Sequence, residues 1–103
     1  MAWSSISANE LSLLIDESFN AMPEPLRAAF EKFRVIPRLE NCKRSDLKMI
    51  EQVFVVAQAG GRAIIYDDVE DEFGIAKIPM ETGDAFGDWE LVGDLPAALR
   101  QLH

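Results

Sequence analysis

Two apolar runs rich in β-branched residues, Val53–Val56 and Ala63–Tyr66, flank Gly60-Gly61, and no other stretch constrains the fold as tightly. β-Branched and aromatic side chains suit a pleated surface. A Gly-Gly pair tolerates the positive φ angles of a two-residue turn, so the segment predicts a central hairpin. Neither run alternates between apolar and polar, which predicts a sheet covered on both faces. The second run ends in Asp67-Asp68-Val69-Glu70-Asp71-Glu72, where five of six residues are acidic. This reads as the charged connection to a third strand over Phe73–Ile78, with Phe73 and Ile75 on one face and Val69 tucked inward as an anchor.

Ser7-Ala8-Asn9-Glu10 is a capping box, and Leu11, Leu14, Ile15, Phe19 and Met22 behind it keep helical spacing. The pattern predicts a helix over 8–20. Met22-Pro23-Glu24-Pro25 breaks it, since proline suits a first turn and not a helix interior. A second helix over 24–34 carries Leu26, Ala29, Phe30 and Phe33 on one face, with Arg27 and Glu31 able to pair outside. Pro37 limits Val35–Leu39 to an edge strand or an extended crossing. Glu40–Asp46 reads as a turn, and Ser45 or Asp46 as the cap of a short helical turn through Leu47 and Ile50. Trp3, in the leading arm, is large enough to dock on the body.

Beyond the hairpin, Pro79–Asp84 reads as a loop, Trp89–Val92 as a short strand and Asp94 as the N-cap of a closing helix with Pro96 in its first turn. Leu95, Ala98, Leu99 and Leu102 form its apolar stripe, and Arg100 complements its dipole. The predicted fold class is α+β: two N-terminal helices, an antiparallel sheet of three or four strands with the Gly-Gly hairpin at its centre, and a C-terminal helix. A chain of 103 residues, 49% of them hydrophobic, is one domain over 1–103 with enough apolar surface for a core.

Eighteen acids against ten bases leave a net charge of −8. That argues against a nucleic-acid binder, which must neutralise phosphates, and against an anionic membrane as a docking surface. It fits a basic protein partner, because opposite charge speeds encounter. One cysteine, Cys42, permits no internal disulfide, consistent with a cytoplasmic protein. No run reaches the ~20 apolar residues of a membrane span, and the first residues lack the basic head and apolar body of a secretory leader.

Little in the chain suggests catalysis. The acidic run lacks the alternating ligands, central Gly and terminal Glu of a calcium loop, so neither a metal nor another cofactor is expected. The only histidine, His103, is the last residue, so no serine has a positioned base. Cys42 lies beside Lys43 and Arg44, cations of the kind that can lower a thiol pKa. Carboxylate pairs suited to acid–base work arise easily by chance among so many acids. Gly60-Gly61 has no lysine and no helix after it, so it is no phosphate loop. The expectation is a protein that is not an enzyme.

The segment VFVVAQAGGRAIIYDDVEDEFGIAKI, followed by DWELVGDLPAALRQL, resembles small bacterial immunity proteins. The likeness lies in Tyr66, Asp67, Asp68, Glu70, Asp71 and Phe73, and in Trp89 ahead of the Leu95–Leu102 helix. Met22-Pro23-Glu24-Pro25-Leu26 followed by Phe30 resembles a helix of the SUKH immunity superfamily, although residues 34–38 read RVIPR where that family carries Asn-Gly-Gly. The resemblance implies an acidic inhibitor that neutralises a cognate toxin stoichiometrically, many such toxins being cationic nucleases. Under it, Asp67, Asp68, Glu70, Asp71 and Glu72 form one partner-binding patch that Asp84, Asp88 and Glu90 extend, and Phe86 or Trp89 supplies an aromatic anchor. The alternative is a non-catalytic scaffold domain, a homodimer joined through an edge strand.

Overall fold

The computed structural model describes residues 6–44, 49–80 and 84–102. Helix α1 (Ala8–Ala21) starts as its capping box dictates: Ser7 Oγ accepts the Glu10 N–H at 3.1 Å, and Glu10 Oε1 accepts the Ser7 N–H at 3.2 Å. Helix α2 (Glu24–Phe33) follows Pro23, which offers no side-chain cap, with Pro25 in the first turn. Leu11, Ile15, Met22 and Phe30 are buried. Leu14, Phe19, Leu26 and Phe33 pack around them half-buried. Arg34 fastens the pair where it meets the sheet: its guanidinium lies over the rings of Phe30 (4.9 Å) and Phe19 (5.7 Å) and pairs with Asp16 at 3.6 Å. Arg27 Nε, expected outside with Glu31, is instead buried without a hydrogen-bond partner among the described residues.

The sheet has five strands among the described residues, against three or four expected. They are β1 (Arg34–Arg44), β2 (Met49–Ala59), β3 (Arg62–Asp67), β4 (Glu72–Lys77) and β5 (Gly87–Gly93), in chain order with each pair antiparallel. The additional strand, β1, takes in Val35–Leu39, where an edge strand is one of the two expected readings, and runs on through Glu40–Arg44, which composition marks as turn. Asn41 and Lys43 stand exposed in β1 while Cys42 is buried, so alternation lets a ladder absorb polar residues that look like loop. Pro37 falls in the register shift between Arg34 and Arg38, where no regular pairing needs its missing N–H. The helical turn expected to run through Leu47 to Ile50 gives way to strand at Met49 and Ile50, which pair with Arg44 and Lys43; Ser45–Lys48, like Trp3, lie outside the described residues.

Strands β2 and β3 meet at Gly60-Gly61, with Ala59 opposite Arg62, and only Gly60 takes a positive φ, 60°. The two strands extend further than the apolar runs suggest, and a register shift between Val55 and Ala57 lets them bend. As expected of runs without alternation, both faces are buried. One face carries Phe54, Val56, Ile64, Tyr66 and Phe73 against the helices. The other carries Val53, Val55, Ala63, Ile65 and Ala76, and among the described residues no helix packs on it. There the sheet curls on itself: Cys42 of β1 bridges in parallel to Phe86, with Phe86 N–H donating to Asn41 O at 2.8 Å and Lys43 N–H donating to Phe86 O.

Helix α3 (Leu95–Leu102) closes the helical face. Asp94 Oδ1 accepts the Ala97 N–H at 3.0 Å, and Leu95, Ala98, Leu99 and Leu102 are all buried. Its far end is held from the sheet, where Arg62 Nη2 donates to the carbonyls of Gln101 (3.0 Å) and Leu102 (3.2 Å), two acceptors the helix itself leaves unsatisfied. Among the described residues no helix is long and apolar enough to cross a membrane.

Candidate functional site

The acidic run folds as the β3–β4 turn, but its carboxylates do not all face outward. Asp67 is 5% exposed, and its Oδ1 accepts the Val69 N–H at 3.0 Å. Asp68 Oδ2 accepts the Ile6 N–H at 2.7 Å, tying the turn to the segment before α1. Asp71 sits at φ 54°, a left-handed position that Asp adopts more readily than most residues, and its Oδ1 takes the Tyr66 hydroxyl. Burial raises the Tyr66 pKa well above its usual value, helped by that hydrogen bond and by the negative charge of Asp71, Asp68 and Asp67. Glu70 is exposed and Glu72 half-exposed. Val69, expected inside, is 69% exposed, because the Tyr66 ring and the Asp67 carboxylate already occupy the inward positions.

The wider patch expected from the sequence is divided. Asp84 is exposed on the β4–β5 connection, which leaves β4 at the Gly60-Gly61 end of the sheet, where Ile78 N–H bonds to Gly61 O at 2.8 Å. The acidic turn is at the opposite end. Glu90 is exposed midway along β5, opposite Ile75. Asp88 is also in β5, and its side chain is outside what is described. Phe86 and Trp89, expected as aromatic anchors, are 5% and 9% exposed and fill the concave core beside Cys42. The curl of the sheet turns them inward, so neither offers an open ring.

Two grooves flank the acidic turn. The smaller, about 230 Å³, opens between Ile6, the β1–β2 ribbon and Asp67–Val69, over Phe54 and Tyr66. The larger, about 550 Å³, lies between α1, the turn and the β5–α3 junction. Its apolar floor is Leu14, Phe73 and Leu95, and its acids are Glu17, Asp71, Glu72 and Asp94. Glu17 and Asp94 are not among the acids that the sequence assigns to the partner-binding patch. A trace of their role was legible: Leu14, Glu17, Ser18 and Ala21 follow i, i+3, i+4, i+7 spacing, so they share one side of α1. Asp94 carries no such mark, because its capping role accounts for it.

Cys42 is fully buried, and burial, with the charge of Glu40 adding to it, pushes its thiol up to about 12. The lowering that Lys43 and Arg44 suggest does not occur, because the side chain turns into the concave core while Lys43 points the other way. Among the described residues no three His, Cys, Asp or Glu side chains come together in a way that could hold a metal ion. Compared with protein-family models, with curated proteins and with solved structures, the chain matches none.

Proposed function

We propose that this protein is a non-enzymatic acidic inhibitor of the immunity type, which neutralises a basic cognate toxin by covering its active surface with the β3–β4 end of the sheet. The observation that carries the reading is the meeting of carboxylates from α1, the turn and the β5–α3 junction at that one end. The net charge of −8 acts with it at long range. Arg34 and Arg38 are each paired within the chain, with Asp16 and Glu40. A cationic nuclease is the toxin class whose surface best complements this end. The purified product of the adjacent reading frame is the partner to test by calorimetry. Binding weakens by about tenfold or more between low and high salt, and by a similar factor or more in the triple variant Glu17→Lys, Glu70→Lys, Glu72→Lys. Absence of binding at low salt sinks the reading.

A second reading rests on a separate observation. Leu39 (52% exposed) and Ile50 (64%) on the β1–β2 ribbon and Val69 (69%) on the turn leave apolar surface open near the smaller groove. These side chains favour a homodimer formed through that face. Sedimentation at several concentrations tests it, and a monomer at every concentration excludes it.

A further inference from the structure

We infer that the groove between α1, the β3–β4 turn and the β5–α3 junction is the seat of a short amphipathic segment of the basic partner, one aliphatic side chain entering it and flanking Lys or Arg side chains reaching its rim. The inference rests on the inhibitor reading and narrows it to one place and one chemistry.

Size comes first. The groove is an open depression of about 550 Å³, a size that suits one large side chain with its neighbouring backbone rather than an enclosed small molecule. The floor of Leu14, Phe73 and Leu95 is apolar, so an aliphatic group gains by leaving water there. Charge decides the flanks. Glu17, Asp71, Glu72 and Asp94 surround that floor, and among the described residues no Lys or Arg lines the groove. Asp71 and Asp94 each give one oxygen to the chain's own groups, Tyr66 and the Ala97 N–H, which fixes their direction and leaves the other oxygen to accept. A further source of negative potential is independent of the carboxylates. Ser18 and Ala21 of the groove wall belong to the last turn of α1, which contains no basic residue. The partial negative charge of that helix end therefore favours a cation. An apolar anchor within a charged rim is also the arrangement in which binding energy concentrates.

The test uses three synthetic octapeptides, read by amide chemical shifts of the whole protein: Lys-Leu-Leu-Lys-Lys-Leu-Leu-Lys, the same with Ser for Leu, and the same with Glu for Lys. The first shifts Leu14, Ser18, Phe73 and Gly93, and the other two leave those amides in place. Ser18→Arg fills the groove and weakens the first peptide by about tenfold or more, whereas Glu31→Lys on α2 changes it by less than about twofold. Glu17→Gln, which keeps size and removes one charge, weakens it measurably without repacking α1. Equal binding of the serine peptide, shifts confined to the β1–β2 ribbon, or no shift at millimolar peptide overturns the assignment. The two proposals fail differently. If the triple lysine variant loses the adjacent-frame protein while Ser18→Arg keeps it, the inhibitor reading stands and the groove falls. If the wild type does not bind that protein, the inhibitor reading falls, and the peptide shifts decide the groove.

Discussion

Gly60 and Gly61 are neighbours in one turn, yet only Gly60 has a left-handed φ, and a Cβ on either meets nothing within contact distance. The cost of replacing them is therefore backbone strain alone. Gly60→Ala is expected to lose about 1–2 kcal/mol and Gly61→Ala much less, measured as a difference in urea midpoints. Gly74 is the reverse case: its φ is unremarkable, but a Cβ there would run into the Glu90 carbonyl where β4 and β5 approach. Cys42 gives a pH prediction. Its folded pKa is raised from the ordinary 9.0 to about 12, so the folded state holds the proton more tightly than the unfolded chain. That share of stability is complete below about pH 9 and is lost as pH rises toward 12. Tyr66 acts in the same direction, so the comparison must cancel it. The stability difference between wild type and Cys42→Ala is expected to move against the wild type between pH 8 and 10.5, and a pH-independent difference refutes the assignment.

The two N-terminal helices begin differently. Helix α1 has both hydrogen bonds of a capping box, while α2 relies on the fixed geometry of Pro23 and Pro25. Ser7→Ala should therefore cost about 1 kcal/mol, and Ser7→Asp, which keeps an acceptor in place, should restore most of it. A loss far above that range would mean that the cap also holds the Ile6–Asp68 bond in place. Helix spans, caps and the stripe of α3 follow from spacing and a few local residues, and they are found where the spacing puts them. β1 was legible only in its first half, where Val35–Leu39 with its Pro37 reads as an edge strand or an extended crossing. The ENCKR stretch has the composition of a loop, and it continues the strand because β2 supplies a ladder and one face can stay wet.

The whole molecule depends on the seam between β1 and Phe86, the place where the curled sheet covers its own concave face. Phe86→Ala should cost about 3–5 kcal/mol and open Cys42 to a thiol reagent at neutral pH, whereas the wild-type thiol should react only after unfolding. Retained protection of Cys42 in that variant would show that the backbone bridge, with Val53, Val55 and Trp89, closes the core without the Phe86 ring. Burial, capping and the two-glycine turn were readable because each is dictated by residues close in the chain: side-chain type sets which surface is hidden, and short-range hydrogen bonds set where elements begin. The number of strands, the inward turn of Phe86 and Trp89, and the grouping of Glu17 and Asp94 with the acidic turn depend on residues far apart in sequence. Those were decided by the curl of the sheet and the path of α1 past its end, since only packing brings such residues into contact.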